Sequence, residues 1–143
     1  MDNHSFSSMF YHLVWTTKNR EPYIQKEFKE KLYKYIGMII LRKDWHLLAV
    51  GGVQDHIHIL LQKNIKTHVS QVVSCIKSNS SKFIKENFNE EFAWQNGYGV
   101  FTVDVTSIKR LKKYILNQEK HHISMETEKE FCLLQERCDI KLD

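Results

Sequence analysis

The apolar residues of this chain switch repeatedly between a two-residue period and a helical period. The order of those switches limits the fold more than any other feature. Residues 10–17 alternate and are rich in aromatic and β-branched side chains, the pattern of a strand. Pro22 marks a turn. Phe28, Leu32, Ile36, Ile39 and Ile40 then follow at helical spacing, which predicts an amphipathic helix over residues 25–43. Residues 45–52 and 56–62 predict two strands joined by a short turn at Val53-Gln54-Asp55. A second helix is predicted over residues 67–88, with Val69, Val72, Val73, Ile76, Phe83 and Ile84 on one face and Thr67 as its N-cap. Gly97-Tyr98-Gly99 precedes a strand in which Phe101, Val103 and Val105 alternate with Thr102 and Asp104. Ser107 is expected to cap a third helix running to about His122.

The order β-α-β-β-α-β followed by a helix is the pattern of an α+β, ferredoxin-like sandwich with one appended C-terminal helix. Its four-stranded antiparallel sheet is covered on one face by two helices, which leaves the other face for the last helix or a ligand. Many unrelated activities share this fold, so it selects none of them.

With 143 residues, five glycines, one proline and no repeat, the chain reads as a single domain with a core over about residues 8–122 and a short acidic tail over 123–143. No apolar run is long enough to span a bilayer, and the start of the chain lacks a secretory layout. A cytoplasmic location with no membrane partner is therefore expected. Cys75, Cys132 and Cys138 are odd in number and form no paired motif, which argues against a disulfide framework or a cysteine zinc site.

Charge is unevenly distributed. Residues 1–122 hold 18 Lys and Arg against 11 Asp and Glu, whereas residues 123–143 hold 3 against 6. The third helix is strongly basic, with Lys109, Arg110, Lys112 and Lys113. Such a helix suits a polyanionic partner, although basic helices also occur as plain solvated faces.

The segment Asp55-His56-Ile57-His58 carries the most chemical information. Residues two apart on a strand point to one face, roughly 6.7 Å apart along the chain. His56 and His58 thus project together while Ile57, Ile59 and Leu61 face the other way, and two imidazoles of that reach can converge on one metal ion. A His-x-His pair on a strand is also a common packing feature. Asp55 either orients His56 or serves only the turn. His12, His46 and His68 read as ordinary single histidines. On the third helix, Tyr114 and Gln118 are four residues apart and share a face. A tyrosine hydroxyl can attack phosphorus when nearby cations favour its deprotonation, and an amide oxygen can bind a metal or position a phosphate. The plain alternative is that Tyr114 packs the helix onto the sheet and Gln118 is exposed. His121 and His122 follow on the same helix, where they either contact DNA, complete a three-histidine zinc site or simply suit the helix's C-terminal dipole.

Taken in order, Tyr11-His12-Leu13-Val14-Trp15-Thr16-Thr17-Lys18-Asn19-Arg20, Asp55-His56-Ile57-His58, Trp94-Gln95-Asn96-Gly97-Tyr98-Gly99 and Tyr114-x-x-x-Gln118 with His121-His122 resemble the single-tyrosine HUH transposases. These are the TnpA-like enzymes of small bacterial insertion sequences and their REP-associated relatives, and the resemblance runs from about Phe10 to His122. It implies that Tyr114 is the nucleophile, forming a 5′-phosphotyrosine link and freeing a 3′-hydroxyl. It further implies that His56, His58 and Gln118 bind a divalent ion, Mg²⁺ or Mn²⁺. The implied substrate is single-stranded DNA with hairpins, and the implied assembly is a homodimer whose active site is shared between chains. Lys18, Arg20, Lys109, Arg110, Lys112 and Lys113 become candidate DNA contacts.

Two other readings compete. A zinc hydrolase built on His56, His58 and His121 lacks the HxHxDH pattern of the metallo-β-lactamases. A non-catalytic nucleic-acid module on the same sheet would stack bases on aromatic residues such as Tyr11, Trp15 and Tyr98. It would have no use for a His-x-His pair facing a Tyr-x-x-x-Gln helix.

Overall fold

The computed structural model describes residues 7–118. Strand β1 (Met9–Thr16) leads through a 3-10 turn (Lys18–Arg20) to helix α1 (Lys26–Arg42), and strands β2 (His46–Val53) and β3 (His56–Lys63) form a hairpin. Helix α2 (Val69–Asn87), strand β4 (Gly99–Val103), a second 3-10 turn (Val105–Ser107) and helix α3 (Ile108–Leu116) complete the order. The strands lie in the order β2-β3-β1-β4, all antiparallel, which is the ferredoxin-like arrangement predicted from the periodicity.

The register decides which residues share a face. Leu13 pairs with Ile59, Trp15 with Ile57 and Tyr11 with Leu61, so the apolar sides of β1 and β3 coincide. On that face they meet Phe28, Leu32, Ile36 and Ile40 of α1 and Val72, Val73, Ile76 and Ile84 of α2 in the main core. Strand β3 is buried on both sides, because α3 covers part of the opposite face. There Leu111 and Ile115 pack on Ala49 of β2 and Leu60 of β3.

Several local expectations need correction. Thr67 does not cap α2: His68 occupies the cap position, no side chain caps the helix, and the Gln71 and Val72 amides donate to the His68 carbonyl instead. Val105 is not part of the last strand but lies exposed in the 3-10 turn. That turn runs straight into α3, so the backbone at Ser107 is already helical and its hydroxyl caps nothing. Asp104 stands instead at the N-cap of the 3-10 turn, where its carbonyl accepts from the Ser107 amide and its carboxylate from the Thr106 hydroxyl. Helix α3 as described ends at Leu116 with Asn117 as its C-cap, a break inside the expected span, and Gln118 is helical again beyond it. His121, His122 and the acidic tail lie outside the described residues. Among the described residues, no helix is long and apolar enough to cross a membrane.

Candidate active site

The histidines lie on the face of the sheet that α3 partly covers. His56 pairs with Thr16 of β1 and Val53 of β2, and His58 with Val14 and Gly51, so both imidazoles stand on β3 with β1 on one side and β2 on the other. The two rings meet edge to face with centroids 5.1 Å apart, and both are completely buried.

Each ring is held through its Nδ1. The Asp55 carboxylate lies 2.8 Å from His56 Nδ1. Asp55 therefore does orient His56, the first of the two roles open to it. For His58 the partner is His12, whose Nε2 lies 2.8 Å from His58 Nδ1. His12 is not an ordinary single histidine. It is completely buried, stacked on His58 and flanked by Phe101 of β4. Sequence reasoning missed it because His12 sits 46 residues from His58 and only the β1–β3 register brings them together.

Helix α3 supplies the other half. Its backbone closes onto β2 at Gly51, where a β-carbon would overlap the Ile115 carbonyl. Seated there, α3 turns the half-buried Tyr114 ring edge-on to His58, with centroids 5.8 Å apart. Gln118, just past the break at Asn117, is buried with its Oε1 3.3 Å from His56 Nε2. Its amide nitrogen donates to the Tyr114 carbonyl at 3.4 Å, which fixes the oxygen toward the histidine. All of these contacts lie within one chain.

This orientation creates a specific electrostatic situation. A carboxylate only accepts, so His56 gives Nδ1–H to Asp55 and a neutral ring has its lone pair at Nε2. That lone pair then faces the carbonyl oxygen of Gln118, and two acceptors at this distance repel. A bound cation between them, a second proton on His56 or a turn of the Gln118 amide that presents its NH₂ group removes the conflict. Among the described residues no three His, Cys, Asp or Glu side chains gather as a metal group, and what these residues offer an ion is two imidazoles and a neutral amide. The amide oxygen, with water, suits Mg²⁺ or Mn²⁺, and the two imidazoles suit a transition metal, so the set can accept a divalent ion without selecting which one.

The basic candidates fall into two places. Lys109, Arg110, Lys112 and Lys113 are exposed on α3, and only Arg110 joins Tyr114 in lining a cleft of about 550 Å³ with Thr102 and Ser107. Lys18 and Arg20 are exposed on the 3-10 turn just beyond Thr16, near the hairpin tip that carries His56. That turn is tied down from both sides. The Thr17 amide donates to Asp55 O, Lys18 N to Ala93 O and Asn19 N to the Gln95 side chain. The end of the motif at residues 11–20 and the start of that at 94–99 are thus joined beside the histidine hairpin.

A family model described as "Transposase IS200 like" matches residues 5–118. The chain belongs to the IS200-like transposase family. It is 30% identical over 116 residues to the transposase for insertion sequence element IS200 of Salmonella typhimurium, covering 76% of this chain and 75% of that relative. The match to the corresponding transposase of Salmonella typhi has the same extent. In fold, the transposase resembles a Deinococcus radiodurans protein described as a transposase, with a TM-score of 0.68 and 23% identity, covering 82% of this chain and 96% of the other. It also resembles a REP-associated tyrosine transposase bound to a REP hairpin, with a TM-score of 0.59 and 13% identity over 80% and 70% of the two chains.

Proposed function

We propose that this transposase cleaves and rejoins single-stranded DNA with Tyr114 as the nucleophile, through a 5′-phosphotyrosine intermediate. One observation carries the reading: helix α3 sets Tyr114 against His58, and the turn that ends it brings Gln118 against His56. In the reaction the tyrosine oxygen attacks phosphorus in line and the bond from phosphorus to the 3′ oxygen breaks. The tyrosine proton passes through solvent and a proton reaches the leaving oxygen, so a 3′-hydroxyl is freed. The phosphodiester's energy is conserved in the tyrosine link, and the reverse attack by a 3′-hydroxyl rejoins the strand without ATP.

His56, His58 and Gln118 would hold a divalent ion, Mg²⁺ or Mn²⁺, which when bound would neutralise charge on the non-bridging phosphate oxygens. Arg110, in the cleft with Tyr114, would bind the strand on one side, and Lys18 and Arg20 on the other, with Lys109, Lys112 and Lys113 adding a screened attraction. The substrate would carry hairpins flanked by single strand, a reading supported by the hairpin held by the REP-associated relative. The working form would be a homodimer in which α3 can exchange between sheets. Support for exchange comes from the short connection through residues 104–107 and from a Gly51 seat that each sheet would offer.

The decisive experiment is incubation with hairpin-bearing single-stranded DNA from the flanking genome plus Mg²⁺ or Mn²⁺. A protein–DNA adduct that survives denaturation is expected from the unaltered chain and not from Tyr114→Phe. DNA binding without an adduct under either metal would leave only a non-catalytic module.

A further inference from the structure

We propose that His12 is a positioning residue that selects the tautomer of His58. This inference rests on the reading of His58 as a metal ligand. Either nitrogen of the 2.8 Å pair between His12 Nε2 and His58 Nδ1 can carry the shared proton. If His12 donates, His58 keeps its own proton on Nε2 and that atom cannot bind a cation. If His12 accepts, His58 is protonated at Nδ1 and Nε2 carries the lone pair. Only the second arrangement matches its neighbour, because Asp55 imposes the same choice on His56. Both imidazoles then offer Nε2, one directed by a carboxylate and the other by a neutral ring.

The surroundings suit His12 to that task. It lies on β1 opposite Leu60, diagonal to His58 on the same face, with Phe101 as its partner across β4. Burying an imidazole at this position is costly unless it is hydrogen-bonded, and an apolar residue would satisfy the packing alone. A neutral acceptor also differs from a second carboxylate in its effect. It fixes the ring without adding negative charge beside a site that must receive a phosphodiester.

Nitrogen-15 NMR of histidine-labelled, metal-free protein reads the tautomer directly, with His58→Ala assigning the signal. Protonation of His58 at Nδ1 is expected, and protonation at Nε2 would overturn the proposal whatever any variant does. Mn²⁺ binding, followed by calorimetry, supplies the second measurement. His12→Phe should weaken it about 10- to 100-fold, the usual effect of losing a partner behind a ligand. His12→Gln, whose amide oxygen can accept at the same place, should recover most of the loss. Unchanged affinity in His12→Phe alongside lost affinity in His58→Ala would remove the role of His12 and leave the ligand reading intact. Unchanged affinity in His58→Ala would overturn the ligand reading and this inference with it.

Discussion

Gly51 of β2 lies directly beneath the carbonyl of Ile115, so close that the smallest side chain would overlap it. This contact determines where Tyr114 and Gln118 stand, because both belong to the segment that Ile115 anchors. Gly51 is also the cross-strand partner of His58. The seat of the helix and the site it serves are therefore built on the same rung of the sheet.

Gly51→Ala should accordingly lift α3 away from the histidines. Overpacking of this kind costs about 1–3 kcal/mol. Adduct formation should fall further than urea-unfolding stability does, since a small shift of Tyr114 spoils an in-line attack. A variant with full stability and full adduct yield would show that this seating is not used in catalysis.

Replacing Tyr114 by phenylalanine removes one hydroxyl while the edge-on contact with His58 remains available. Melting temperature and DNA binding should stay near those of the unaltered chain, and the covalent adduct should vanish. An adduct on a denaturing gel with Tyr114→Phe would assign the chemistry to another group.

His56→Ala and His58→Ala are expected to abolish both Mn²⁺ binding and cleavage. Because both rings are completely buried, the variants should also lose stability. His56→Ala removes the ring that pairs with the Asp55 carboxylate, a hydrogen bond of a kind worth about 1.5–3 kcal/mol. A chelator added to the unaltered protein should stop cleavage with no such loss of folding. Cleavage that continues in the chelator would exclude a metal.

The proposed exchange of α3 between chains predicts complementation. Mixing Tyr114→Phe chains with His56→Ala,His58→Ala chains should restore part of the cleavage, because one composite site in each mixed dimer is whole. With subunit exchange verified by mass, absence of recovery would mean that the arrangement within one chain is also the working one.

Substrate form gives a further check. A hairpin flanked by single strand should be cut and a perfect duplex of the same sequence should not. Binding should weaken as salt rises, since each phosphate contact made by Lys or Arg releases counterions. Arg110→Ala should reduce the salt slope by about one contact. Equal cleavage of duplex and single strand would contradict the proposed substrate.

Much of this protein is local and therefore legible in its sequence. The periodicities at Phe28–Leu32–Ile36–Ile40 and at Ile57–Ile59–Leu61 follow from burial on one helix face and one strand face, and they specify the sandwich. The adjacency of His56 and His58 needs only the two-residue repeat of a strand, and Tyr114 and Gln118 need only a helical turn. Tertiary structure decided what those pairs meet. The β1–β3 register carried His12 to His58, which no spacing along 46 residues can express. The bare backbone of Gly51 decided how closely α3 approaches, because a close approach depends on the atoms of both partners and not on either segment alone. Helix ends lay between these cases. Thr67 and Ser107 had the chemistry of caps, but the backbone entering each helix took a path that left their hydroxyls no amide to receive.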